Sequence, residues 1–257
     1  MNRQNAFTLL ATFALLFCFT FSCNAKGKDK AKHVVFIGLD GWGAYSLPKA
    51  DMPNVKKLME DGSYTLKKRS ALPSSSAINW ASMFMGAGPE LHGYTEWGSK
   101  TPELPSRVLN KNGIFPTVFQ LLRDARPEAE IGCLYEWEGI KYLVDTLSLN
   151  YHYHVADCNK TPKELGNMSS SYIKEKHPAL VAICFDGPDH TGHTEGHDTP
   201  AYYEKLKELD SYVGQIVQAV KDAGMLDDTI FILTSDHGGI DKGHGGKTMQ
   251  EMETAFI

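Results

Sequence analysis

Three short apolar runs constrain this chain more than any other feature: residues 33–40 (HVVFIGLD), 180–185 (LVAICF) and 229–236 (TIFILTSD). Each is rich in β-branched residues, lacks polar alternation and runs into carboxylates, first Asp40, then Asp186 and Asp189, then Asp236. Runs of this kind are strands buried on both faces, as in a parallel sheet. Helical patterns lie between them. The clearest opens at Thr199 and Pro200 and closes at Gly224, with Leu206, Leu209, Val213, Ile216, Val217 and Val220 on one face. Shorter ones span 54–60, closed by Gly62, and 116–125, closed by Pro127. The expected fold is α/β, a doubly wound, mostly parallel central sheet with helices on both faces, in which ligands bind beyond the carboxyl ends of the strands. The acidic clusters belong at that edge. Residues 95–106 and the aromatic 151–154 segment read as loops over its rim.

Residues 1–25 read as a signal peptide, with Arg3 as the positive start and an uncharged apolar run from 6 to 21. That run is short of the ~20 residues a membrane span needs, and no transmembrane segment is expected after it. Cleavage after Ala25 leaves one domain, 26–257, exported to the periplasm or outside the cell. Cleavage before Cys23 would add a lipid anchor, but Thr20, Phe21 and Ser22 make only a loose lipobox. A hydrophobic share of 42% and a charged share of 22% suit one large core. The formal charge of −5 supplies no basic field, so nucleic acid is not an expected partner and an anionic substrate must be attracted locally. Of the later cysteines, Cys184 belongs to a buried run, and Cys133 with Cys158 is the pairing offered.

Chemistry concentrates in a few segments. Asp189 and His193 stand four apart in a glycine-containing loop after a strand; Asp236 and His237 precede Gly238-Gly239, and His244 lies between Gly243 and Gly245-Gly246. Carboxylate and imidazole together suit zinc or a similar cation, and the glycines let the backbone bring ligands inward. His190 and His197 are read as solvent contacts or hydrogen-bond supports behind the ligands, and His92 as structural. Ser76 opens a short helical pattern ending near Gly86. Such a serine is ordinarily a cap, but beside a cation its hydroxyl ionises more readily, and free N–H groups at the helix start can hold phosphate oxygens. Asn79, one turn on, could place its amide beside the same oxygens.

Taken in order, Gly38-Leu39-Asp40-Gly41, Ser76-Ala77-Ile78-Asn79 with Gly86 and His92-Gly93, Asp189 to His193, and Ser235-Asp236-His237-Gly238 resemble the alkaline phosphatase superfamily, most of all its type I phosphodiesterase and nucleotide pyrophosphatase branch. The resemblance selects Ser76 over Ser74 and Ser75 as nucleophile. It implies two divalent metals, zinc or manganese. One would be held by Asp40, Asp236 and His237 with Ser76, the other by Asp189, His193 and a third histidine that the branch draws from far downstream. Here that is His244 in a compact variant, unless the chain is a truncated relative. The implied reaction is in-line attack giving a phosphoseryl intermediate on a small phosphodiester, with a nucleotide end stacked on Trp80 or Trp97. Lys67, Lys68 and Arg69 are the nearest cations in sequence, which favours diesters. The alternatives are a phosphomonoesterase and an inactive exported binding relative. A sulfatase would need a Cys/Ser-x-Pro-x-Arg segment, which the Ser76 region lacks.

Overall fold

The computed structural model describes residues 31–156 and 161–257; the leader with Cys23, and Cys158, lie outside the described residues. Its elements are β1 (His33–Leu39), α1 (Pro53–Asp61), β2 (Thr65–Arg69), α2 (Ser76–Met85), α3 (Pro89–His92), α4 (Val118–Ala125), β3 (Ile131–Tyr135), β4 (Tyr151–His154), α5 (Thr161–Lys176), β5 (Leu180–Phe185), α6 (Gly187–Glu195), α7 (Pro200–Asp222), β6 (Thr229–Thr234), α8 (Met249–Met252) and β7 (Glu253–Phe256). The strands form a seven-stranded sheet in the order β2-β7-β6-β1-β5-β3-β4. From β6 to β4 neighbouring strands pair in parallel. β7 runs antiparallel to both its neighbours.

The three apolar runs are adjacent central strands. β1 pairs with β5 from Val34↔Leu180 to Leu39↔Phe185 and with β6 from His33↔Thr229 to Gly38↔Thr234, so their carboxyl ends finish level with one another. Their side chains serve two cores. Val35, Ile37 and Leu39 join Leu206, Leu209, Val213 and Val220 of α7 on one face. Ala182 and Cys184 of β5 join Trp80 and Phe84 of α2 and Phe119 of α4 on the other. Helices therefore cover both faces, as expected. Cys133 and Cys184 are buried free thiols in the second core. Among the described residues no helix is long and apolar enough to cross a membrane.

Two local readings need correction. Residues 151–154 are not a rim loop but an edge strand, paired in parallel with β3 from Gly132↔Tyr151 to Tyr135↔His154. Their Tyr-His alternation is a period of two: Tyr151 stacks on Tyr172 of α5, while His154 stacks on Tyr135. Asp189 and His193 sit on α6, not in a loop, so their i,i+4 spacing places them on one helical face.

α1 starts after Met52 with no side-chain cap of its own. Its cap comes from the buried Asp210 on α7, whose carboxylate accepts from the N–H of Val55 at 2.8 Å and of Asn54 at 3.1 Å. A carboxylate there meets the positive end of the helix and satisfies donors that would otherwise be unpaired. Asp210→Ala should cost about 2–4 kcal/mol of stability, read by denaturant unfolding. A loss near zero would show that α1 is held by its apolar face alone.

Candidate active site

The site lies where β1, β5 and β6 end. Asp40 follows β1, Asp189 is in the first turn of α6 just past β5, and Asp236 follows β6 by two residues. All three are buried. Each has one carboxylate oxygen engaged: Trp80 Nε1 donates to Asp40 Oδ2 at 2.9 Å, the Gly41 N–H to Asp236 Oδ1 at 3.3 Å, and His193 Nε2 stands 3.1 Å from Asp189 Oδ2. The other oxygens, Asp40 Oδ1, Asp236 Oδ2 and Asp189 Oδ1, are buried without a hydrogen-bond partner among the described residues.

Three histidines share one arrangement. Nδ1 donates to a backbone carbonyl, Gly238 for His237 at 2.8 Å, Lys242 for His193 at 2.9 Å and Ser74 for His244 at 3.0 Å, so that in the neutral ring each Nε2 carries the lone pair; on His193 that nitrogen bears the proton that Asp189 holds until it is displaced. His237 Nε2 lies 3.4 Å from Asp40 Oδ1, 3.2 Å from Asp236 Oδ2 and 3.1 Å from Ser76 Oγ. His244 Nε2 lies 3.2 Å from His193 Nε2 and 3.7 Å from Asp189 Oδ1. Asp189, His193 and His244 thus form one compact ligand group, and Asp40, Asp189 and His237 another. Unpaired carboxylate oxygens facing imidazole lone pairs are the donor set a zinc-like cation takes, and the residues fit such ions.

The electrostatics agree. Burial, then the neighbouring Asp236 and Asp189 charges, raises the Asp40 pKa well above the usual carboxylate range. Burial and Asp189 push Asp236 up to about 7. Asp189 goes the other way: burial opposes its ionisation, but the His193 and His197 imidazoles hold it well down. Burial pushes His237 down to about 3, while hydrogen bonding to Asp189 lifts His193 to about 9.

Ser76 is the first residue of α2, after Ser75 in extended conformation, and is buried beside His237. Two expectations about its surroundings change. The Ala77 N–H is taken by the Trp97 carbonyl at 3.1 Å. Asn79 is committed to the preceding turn: its Oδ1 accepts from the Ala71 N–H at 2.7 Å, and its Nδ2 donates to the carbonyls of Ala71, Pro73 and Ser75 at 3.0–3.3 Å. Asn79 therefore braces the turn before Ser76, with its amide committed to backbone groups of that turn. Trp80 is no rim aromatic either, being 1% exposed beneath Asp40, whereas Trp97 is 67% exposed. Lys68 turns to the Ser235 carbonyl and Thr254, and Arg69 pairs with Glu253.

His92 is structural, accepting from the Tyr94 N–H and facing Ser82 Oγ, and His190 is exposed. Sequence reasoning missed Ser74, which is fully buried, donates to the Gly246 carbonyl at 2.6 Å and accepts from the Gly245 N–H, pinning the loop that carries His244. Nothing in a run of three serines marks which one does this.

A mostly parallel α/β sheet with these candidate ligand groups at its carboxyl edge is the fold and site that the alkaline phosphatase resemblance implies, and the family is shown by sequence. The family model described as type I phosphodiesterase / nucleotide pyrophosphatase matches residues 34–250, and the chain belongs to that family. It is 25% identical over 222 residues to a bis(5'-adenosyl)-triphosphatase of Mus musculus, covering 82% of this chain and 48% of that protein. It is 30% identical over 117 residues to GPI ethanolamine phosphate transferase 3 of Schizosaccharomyces pombe, 45% of this chain and 12% of that one. The chain thus spans about half the length of the mouse relative and much less of the yeast one. Among solved structures, an inactive murine ectonucleotide pyrophosphatase / phosphodiesterase 5 in complex with AMP superposes with a TM-score of 0.63 at 19% identity, over 80% of this chain and 57% of that one. A 2-O GAG sulfatase superposes at 0.67 and 13%, over 89% and 64%. At these identities the structures show a shared fold.

Because the raised Asp40, Asp236 and His193 hold protons that a bound cation must displace, zinc uptake by metal-free protein should release protons. Affinity should rise with pH from below the Asp236 value of about 7 to above the His193 value of about 9. Titration calorimetry in buffers of different ionisation enthalpy measures both, and a pH-independent affinity without proton release would contradict this electrostatic picture.

Proposed function

We propose that this protein is a two-metal phosphodiesterase in which Ser76 attacks phosphorus, acting on small phosphodiesters or pyrophosphates with a nucleotide end. The observation that carries the reading is the convergence of Ser76 Oγ, His237 Nε2 and three unpaired carboxylate oxygens at one end of the sheet. Asp40, Asp236 and His237 would hold one divalent cation, and Asp189, His193 and His244 the other, zinc or manganese in both cases. Such cations lower the pKa of the serine hydroxyl and offset the charge that builds on the reacting oxygens. Ser76 Oγ forms the new bond to phosphorus while the bond to the leaving oxygen breaks in line, giving a phosphoseryl intermediate that water then hydrolyses. Asn79, by bracing the turn, fixes the direction from which Ser76 attacks. The exposed Trp97, whose carbonyl accepts from the Ala77 N–H beside Ser76, would stack on a base or aryl group.

With Lys68 and Arg69 engaged elsewhere, the extra charge of a monoester dianion finds no partner among them, which supports diesters over monoesters. Export rests on the leader at 1–25. The deciding experiment is Ser76→Ala. It leaves the metal-binding side chains in place, so two equivalents of metal should be retained while hydrolysis of an aryl phosphodiester falls by about 10³ or more. Ser75→Ala, which loses no side-chain cap hydrogen bond among the described residues, is the control, expected to stay within ~10-fold. A Ser76→Ala protein that keeps its metals and most of its rate would sink the covalent mechanism, and a wild-type rate far higher on the aryl monoester would replace diesterase with monoesterase.

A further inference from the structure

His197 is a buried imidazole that the chemistry above leaves unused. Its side chain has no exposed surface, and its Nε2, without a hydrogen-bond partner among the described residues, faces Asp189 Oδ1 at 3.6 Å. Its Nδ1 lies 3.3 Å from the Asp241 carbonyl, so both ring nitrogens look at acceptors. It is not placed as a further ligand, because the compact group around Asp189 comprises His193 and His244 without it.

The ring instead fills the space between the two ligand-bearing segments. A Cβ at Gly192, between Asp189 and His193, would stand 2.3 Å from the His197 ring; so would one at Gly239, two residues past His237. The glycines in both motifs are therefore the room in which His197 sits. Behind it lies Tyr202 of α7, fully buried, with ring centroids 5.5 Å apart. The Tyr202 hydroxyl donates to the Gly41 carbonyl at 2.8 Å and accepts from the Gly43 N–H at 3.3 Å, clasping the turn that follows Asp40. That turn has φ +68° at Gly41 and presses on Asp189, whose atoms would meet a Gly41 Cβ at 2.7–2.8 Å.

We propose that His197 and Tyr202 form a strut between the two ligand sets, His197 orienting Asp189 and spacing the Gly192 and Gly239 segments, Tyr202 holding the Asp40 turn. Both are positioning residues for the cations and, through them, for attack by Ser76. The proposal rests on the two-metal reading above.

Side chains that orient metal ligands commonly contribute 10–100-fold in metal affinity. The test measures zinc affinity of the full chain by chelator competition, which needs no turnover, alongside circular dichroism, thermal unfolding and diesterase kinetics at saturating zinc. Tyr202→Phe keeps the ring and removes one hydroxyl; it should fold and bind zinc about 10-fold more weakly, with kcat reduced and KM unchanged. His197→Ala should lose ~10–100-fold, and His197→Gln, which restores an N–H donor, should recover part of it. A purely space-filling His197 would be rescued as well by His197→Leu, which restores bulk without a donor, as by His197→Gln. Folded Tyr202→Phe protein with zinc affinity within about twofold of wild type overturns the strut, whether or not the His197 variants fold. If wild type takes up two equivalents and the variants match it, the strut alone falls; if wild type takes up no metal, the two-metal reading falls with it.

Discussion

The structure depends on holding three buried carboxylates against their own repulsion. A parallel sheet brings the ends of neighbouring strands within about 5 Å of each other, so Asp40, Asp189 and Asp236 are forced together by the same pairing that makes the core. Burying one such charge without a partner costs several kcal/mol, and three in contact cost more. The protein meets this by dividing each carboxylate. One oxygen is engaged, by the N–H of Trp80 or Gly41 or by the His193 imidazole, and the other is left bare towards the common centre. Fixed donors set the direction of each group. The bare oxygens set a strong local demand for positive charge.

The glycines of the ligand segments follow from this division. Gly38 lies in β1, where a Cβ would stand 2.2 Å from the Trp80 ring, so its absence lets the indole cross the strand and reach Asp40. Gly41 lets the Asp40 turn touch Asp189, and Gly192 and Gly239 make room for His197. At Gly38, Gly192 and Gly239 the missing side chain is replaced by one from elsewhere in the chain that stands against a carboxylate, and at Gly41 by the carboxylate-bearing residue itself. The glycines serve packing behind the ligands as much as backbone freedom.

What could be read from the sequence was whatever is written locally. Three unbroken apolar runs identify the central strands, and the Thr199–Gly224 pattern anticipates α7 closely, because burial on one face imposes its period on neighbouring residues. The clustering of the acidic and histidine segments was legible for a related reason: carboxylate and imidazole recur with glycine at strand ends, and His244 lies against His193. The supports were not legible. Trp80 looked like a rim aromatic because nothing near it in sequence shows that Gly38 opens a path to Asp40. Ser74 and His197 act through partners 171 and 8 residues away, Gly245 and Asp189, and Asn79 was misread because its partners are backbone carbonyls of its own turn. Residues 151–154 looked like a loop because a four-residue edge strand exposes much of itself and carries little burial signal.

Charge balance links the site's construction to its proposed selectivity. On the two-cation reading, three carboxylates against two divalent cations would leave one positive charge before Ser76 ionises, which a diester monoanion would neutralise. A monoester dianion would overshoot unless a lysine or arginine compensated, and two of the three nearest Ser76 in sequence are engaged: Lys68 with the Ser235 carbonyl and Thr254, Arg69 with Glu253. Lys68 still serves the site from behind. Burial lowers it to about 8, opposed by the Asp236 charge, and its bonds tie β2 to the end of β6, where Asp236 begins. Lys68 is thus spent on the framework of the carboxylate. On the two-cation reading, attraction for an anionic substrate comes from the bound metals, in a chain whose formal charge of −5 would otherwise repel it.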